Sequence, residues 1–220
     1  MTETLRVMLK APTRQTLGHG VADSIRQAIW DGIFPGGQRL PEAKIAQTLK
    51  VSRAPVRDAL ASLEQEGIVH RTASGVSIVA RLVKADVEEI CSLRLPLELL
   101  AAQRVALHGT ETDWTRLGGI IRATEHVNTP EDLAQVDLEF HEALVRAARH
   151  GRLLANWLSL SSQVRLVMVQ RNLTDHDSLR GTVQGHTEFL AALQARDATS
   201  AIGQLQHHLQ GQCEWVLGSF

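Results

Sequence analysis

Four side chains in the C-terminal part of the chain stand where methyl groups belong. Three helix-period stripes run through Leu133, Asp137, Phe140/His141, Leu144 and Ala148; through Leu179, Val183, His186, Leu190 and Leu193; and through Ala201, Leu205, His208, Cys213 and Val216, with Leu209 beside the last. Such stripes mark buried faces. Asp137, His141, His186 and His208 interrupt them, and left unpaired inside a core they would be costly. Two chemistries remove that cost. Neutral imidazoles and a carboxylate are the usual ligand set of a first-row divalent metal, and Asp137 and His141, one turn apart, can bind one ion together. The alternative is an internally hydrogen-bonded network, the commoner state of a histidine on an apolar face. The residues alone leave both open. His207 shares its face with Gln204, Gly211 and Glu214 and reads as outward, while His108, His126, His150 and His176 fall near helix ends or loops.

A different chemistry belongs to Arg53 and Arg57. They sit four apart on a short helix, on the face opposite Val56, Leu60 and Leu63, so both guanidiniums point outward together. A guanidinium can grip guanine O6 and N7, or a phosphate, in a bidentate fork, which suits a helix entering the major groove. The competing reading is a solvated charged face.

The elements around these residues divide the chain. Val21, Ile25, Ala28 and Ile29 form a helical stripe that ends at Gly32 and the turn Phe34-Pro35-Gly36-Gly37. A second helix runs from Glu42 to Leu49, and a third begins after Ser52, whose hydroxyl is expected to cap it, with Pro55 tolerated in the first turn. After Gly67, the segments 68–71 and 76–79 flank Thr72 to Gly75 as a small hairpin. Three helices and a hairpin make a winged helix-turn-helix over residues 15–81. From 85 to 220 the pattern is all helix, with segments near 86–108, 111–126, 130–149, 151–171, 178–197 and 198–217, an antiparallel six-helix bundle. The expected fold class is therefore mostly α, in two domains.

Charge follows the same division. The 220-residue chain has a net charge of -1, yet residues 1–84 carry twelve Lys/Arg against seven Asp/Glu, and the remainder eleven against seventeen. A basic segment joined to an acidic one points to a polyanion partner for the first alone. With 44% hydrophobic and 21% charged residues, wholesale disorder is excluded. No clean apolar run reaches the ~20 residues of a membrane span. Met1 to Arg14 has no apolar stretch of the secretory type, and Cys91 and Cys213 form no close motif. These features predict a cytoplasmic protein with reduced thiols.

The run Ile29 to Leu40, then Val51-Ser52-Arg53-Ala54-Pro55-Val56-Arg57-Asp58-Ala59-Leu60, then Leu63 to Val69, closely resembles the GntR family of bacterial transcription regulators. The resemblance implies operator contacts from Ser52, Arg53 and Arg57, with Arg39 and Lys44 near the backbone and Arg71 and Gly75 on a wing that reaches the minor groove. Some relatives carry arginine where Ala43 stands, so that contact is missing. The helical region resembles the FCD effector domain, through Arg94 and Glu98, Asp137-Leu138-Glu139-Phe140-His141, His186, and Ala201, Leu205, His208 and Leu209. Six helices are similar to the VanR-type subgroup. Metal-binding members use one Asp and three His, a role that passes by resemblance to Asp137, His141, His186 and His208, with Zn²⁺ expected and Ni²⁺ or Mn²⁺ as alternatives. Relatives lacking these histidines bind fatty acyl groups instead. Arg94 then either meets an effector carboxylate or forms an ion pair with Glu98.

The function expected is a homodimeric repressor that binds a palindromic operator on duplex DNA, controlled by a small carboxylate effector at the metal site. Two alternatives stand beside it. A metallosensor would respond to the ion itself. A metal-dependent hydrolase or lyase would need a general base near the ion, but Glu139 and Glu142 lie on other faces of their helix and no nucleophile motif is present. No enzyme activity is therefore expected.

Overall fold

A computed structural model describes residues 13–124, 127, 130–170 and 176–220. Residues 1–12, His126, and the side chains of His176, Leu179 and Val183 lie outside the described residues. The chain forms two compact units that divide between Arg81 and Leu82.

The first unit holds α1 (Thr13–Trp30), α2 (Glu42–Leu49), α3 (Arg53–Gln65), β1 (Val69–Arg71) and β2 (Ser77–Val79). Val21, Ile25 and Ile29 of α1, Ile45 of α2, and Val56, Leu60 and Leu63 of α3 are all buried, with α1 and α2 each packed against α3. Arg26 of α1 adds a two-pronged contact to Glu66, through Nε at 3.0 Å and Nη2 at 2.7 Å. Between α2 and α3 the chain turns at Lys50, which takes the left-handed conformation at φ 54° and returns its N–H to α2. The hairpin pairs Val69 with Val79, His70 with Ile78 and Arg71 with Ser77. Its turn closes by Gly75 N–H donating to Thr72 O, with Gly75 at φ 79°, a backbone region that side chains disfavour. Arg39 adds an isolated bridge to Ile78 that no local pattern announces.

The start of α3 departs from expectation. Ser52 is extended, as an N-cap should be, but its hydroxyl accepts no cap hydrogen bond. The reason lies three residues on. A capping hydroxyl usually accepts from the third helical amide, and here that residue is Pro55, which has no N–H.

The second unit contains α4 (Lys84–His108), α5 (Glu111–Ala123), α6 (Pro130–Ala147), α7 (Gly151–Gln170), α8 (His176–Gln194) and α9 (Ala198–Gly218). The starts of α4 and α5 are fastened by acids three residues in: Asp86 accepts from Val83 N–H at 2.7 Å and Asp113 from Thr110 N–H at 2.8 Å. One apolar cluster gathers Val105, Trp114, Phe140, Leu144, Phe189 and Leu193; a second gathers Val87, Ile90, Leu138, Leu160, Val164 and Val167. Among the described residues no helix is long and apolar enough to cross a membrane.

One expectation is overturned here. Cys91 of α4 and Cys213 of α9 are not separate reduced thiols but are joined as a disulfide, with Cα atoms 6.1 Å apart and a sequence separation of 122. The two helices pack side by side, which brings the cysteines together, and their spacing along the chain contains no hint of it.

Candidate metal centre and nucleic-acid interface

The stripe positions on α6, α8 and α9 converge. Asp137, His141, His186 and His208 each offer one ligand atom, and these four atoms lie within 4.8 Å of one another. His141 Nε2 is 3.2 Å from His208 Nε2 and 3.4 Å from His186 Nε2. Asp137 Oδ1 stands 3.6, 3.4 and 3.9 Å from the Nε2 atoms of His141, His186 and His208. Four ligands at roughly 2.0–2.1 Å from a zinc ion sit about 3.3 Å apart, so these spacings match one small divalent cation. Asp137, His141 and His186 are buried and His208 is nearly so, at 11% side-chain exposure. Phe140 stacks on His186 at 4.0 Å between centroids and fixes its ring.

The support behind the quartet was only partly visible in the sequence. Glu98 of α4 is fully buried. Its Oε1 accepts from Arg94 Nε at 2.6 Å and Trp157 Nε1 at 3.0 Å, while Oε2 faces His141 Nδ1 at 2.5 Å. A carboxylate there keeps the proton on Nδ1 and leaves the Nε2 lone pair for the cluster. Gln212 donates from Nε2 to Asp137 Oδ1 and Oδ2 at 3.2 and 3.1 Å, and accepts from Arg94 Nη1 at 3.0 Å. Arg94 thus makes its ion pair with Glu98 and reaches the quartet through Gln212. Neither Gln212 nor Trp157 stood out from the sequence. For Gln212 a signal existed, since it lies one turn beyond His208 on the same helix.

Electrostatics follow from burial and company. Burial alone would raise the Glu98 carboxyl, but Arg94 and His141 beside it outweigh burial and hold it well below the usual carboxylate range. Asp137 is likewise raised by burial yet held far down by His141, His186 and His208. Burial pushes His208 down to about 4, helped by His141, and depresses His186 strongly as well. His141 also feels burial, but Glu98 and Asp137 prevail and raise it.

These shifts predict the acid behaviour of chelator-treated protein. Below about pH 6.5 the unfolded chain protonates all its histidines, whereas folded His186 and His208 resist, His208 until about pH 4. The unfolded state therefore binds more protons, and stability should fall from pH 6.5 to 4. His141 acts oppositely: its contribution is complete below pH 6.5 and is lost as pH rises through its raised value. Glu98 and Asp137 stabilise above about pH 4 and cease to do so as their carboxyls protonate. Urea melts at pH 7, 5.5 and 4 check this; flat midpoints across the series would contradict it.

In the first unit, the seven positions expected to touch DNA are all exposed: Arg39 at its bridge, Lys44 on α2, Ser52 before α3, Arg53 and Arg57 on α3, Arg71 at the end of β1 and Gly75 in the turn. Arg57 Nε lies 3.7 Å from Glu42 Oε2, an exposed pair that holds the side chain only weakly.

A winged helix-turn-helix followed by a six-helix unit with a charged, buried interior is the architecture of a two-part transcriptional regulator. Residues 17–78 match the gntR family of bacterial regulatory proteins, and residues 89–211 match the FCD domain. The chain belongs to the GntR family, with an FCD domain as its second part. It is 26% identical over 212 residues to the gluconate operon transcriptional repressor of Bacillus licheniformis, covering 92% of this chain and 87% of that one. It is 26% identical to the Uxu operon transcriptional regulator of Escherichia coli, covering 92% and 88%. The solved structure of E. coli McbR/YncC shares the fold, with a TM-score of 0.78 at 22% identity, covering 91% of this chain and 96% of that one.

Proposed function

We propose that the protein is a homodimeric repressor whose operator binding is controlled by a small carboxylate effector at a divalent metal held by Asp137, His141, His186 and His208. The observation that carries the reading is the quartet itself: three Nε2 atoms and one carboxylate oxygen aimed at a common point. With Nδ1–H donated to the Glu98 carboxylate, His141 turns its Nε2 toward the other two imidazoles, where a divalent cation would be held by the ring's lone pair. The donor set fits zinc, with nickel or manganese as alternatives. When bound, the ion would supply a positive charge for a carboxylate, and Arg94 stands ready beside it. Relatives named as operon repressors favour repression over activation.

A second copy of the chain is the natural partner. Leu93, Leu100 and Leu107 recur every seven residues along α4 and are 57%, 41% and 62% exposed, an apolar stripe of the kind two helices bury against each other. A two-fold dimer also reads both halves of a palindrome.

Operator binding is tested at α3. Arg57→Ala should weaken binding to duplex DNA from the protein's own promoter region by about 1–3 kcal/mol if the guanidinium reads a base. The double variant with Arg53→Ala should abolish specific binding in a gel-shift titration against competitor DNA. Unchanged affinity in the double variant would reassign the recognition surface.

A further inference from the structure

Cys91 of α4 and Cys213 of α9 are joined in surroundings unlike those of a sealed structural disulfide. Both are half-buried, and both line a cavity of about 570 Å³. The same lining includes Ser92 and Gly211, which are exposed, so the cavity reaches the surface next to the sulfurs. A small thiol or a hydroperoxide can therefore approach them. The bond also stands beside the support of the quartet. Cys91 lies one turn before Arg94 on α4, and Cys213 directly follows Gln212 on α9. Arg94 Nη1 donates to Gln212 at 3.0 Å, and Gln212 donates on to Asp137. Within one turn, α4 and α9 are thus linked twice, once through sulfur and once through this hydrogen bond.

We propose that Cys91 and Cys213 form a thiol–disulfide exchange site, through which a low-molecular-weight thiol or a hydroperoxide sets the protein's affinity for its operator. The proposal rests on the operator-binding reading above. A protein at work on DNA shares a compartment that thiol buffers keep reducing, where disulfides are transient or redox-sensing more often than structural. In reduction, a thiolate of the reductant attacks one sulfur and forms a mixed disulfide, which a second thiolate resolves. Two electrons and two protons pass to the cysteine pair, and the reductant leaves as its own disulfide. In the reverse direction one cysteine thiolate attacks the hydroperoxide, becomes a sulfenic acid and releases an alcohol or water. The other thiol then displaces the sulfenic oxygen as water and closes the bond. With the sulfurs parted, the Arg94–Gln212 bond loses its covalent neighbour and the two helices gain freedom to separate. α4 begins at Lys84, three residues past Arg81, where the first unit ends. A change in α4 is therefore applied to the chain where it leaves the DNA-binding unit, and it alters affinity to the extent that DNA favours one arrangement.

The first experiment equilibrates the native full chain with mixtures of reduced and oxidised glutathione, traps free thiols with a maleimide and weighs the products by mass spectrometry. Disulfide and dithiol forms should both be populated as the glutathione ratio is varied over about two orders of magnitude. A bond that stays closed in reduced glutathione until the chain is unfolded would overturn the proposal, as would thiols that stay separate in oxidised glutathione. The second is a gel-shift titration of both wild-type forms with duplex DNA from the protein's own promoter region. Their affinities should differ at least fivefold. Cys91→Ser should bind as the reduced form does and ignore hydrogen peroxide, with a melt that matches reduced wild type to show that it is folded. Equal affinities of the two wild-type forms, or a peroxide response that persists in Cys91→Ser, would overturn the proposal and leave the operator reading standing. No specific binding by either form would overturn both.

Discussion

Replacing Glu98 by alanine should destabilise the helical unit by about 3–5 kcal/mol, the range seen when one partner of a buried ion pair is removed. The carboxylate is fully buried and serves Arg94, Trp157 and His141 at once. Without it a guanidinium is stranded in the interior, and an indole N–H and an imidazole N–H lose their acceptor. For a chain of this size the loss corresponds to a melting temperature lower by roughly 10 °C. The double variant Arg94→Met/Glu98→Leu should recover part of it, because removing both charges leaves neither uncompensated. Thermal melts of the two variants followed by circular dichroism distinguish the cases. A Glu98→Ala melt within 2 °C of wild type would mean that water reaches Arg94 and the network carries little of the stability.

The second large effect concerns the ion. A ligand that binds only the folded state stabilises it by about 4 kcal/mol at a thousand times its dissociation constant, so Zn²⁺ should raise the melting temperature of chelator-treated protein by roughly 10 °C. His208→Ala should cancel most of that gain, since it removes one of the four ligand atoms. The same variant should bind DNA as wild type does while failing to respond to effector. Metal analysis of protein purified without chelator gives the complementary result, near one equivalent per chain. Well under one equivalent, together with no stabilisation by Zn²⁺, Ni²⁺ or Mn²⁺, would leave Asp137 and the three histidines as a hydrogen-bonded network.

Much of the fold could be read from one dimension because its signals are local. Helical periodicity and the breakers Gly109, Pro130 and Gly151 put α4 to α7 within a few residues of where they lie. Thr72 to Gly75 marked the hairpin turn because Gly75 must adopt a positive φ. The quartet was legible for the same reason: a polar residue inside an apolar stripe is a local anomaly. His208 shows the limit of that reasoning. The buried positions on α9 are Ala201, Leu205, Leu209 and Val216, and His208 sits about 100° around the helix from Leu209, at the edge of the stripe. What escaped depends on distant partners. Glu98 meets His141 and Trp157 from other helices, Gln212 bridges Arg94 to Asp137, and Cys91 meets Cys213. No spacing along a chain encodes a meeting between residues on helices whose packing is still unknown.

The bond between Cys91 and Cys213 turns most of the helical unit into a closed ring of polypeptide. Asp137, His141, His186 and His208 all lie on the arc between those two cysteines. A single backbone cut anywhere on that arc would open the ring without dividing the molecule, so the three helices that carry these residues would stay tethered to one another. Reduction removes that tolerance, and a cut between Asp137 and His208 then releases two pieces, each with an incomplete set.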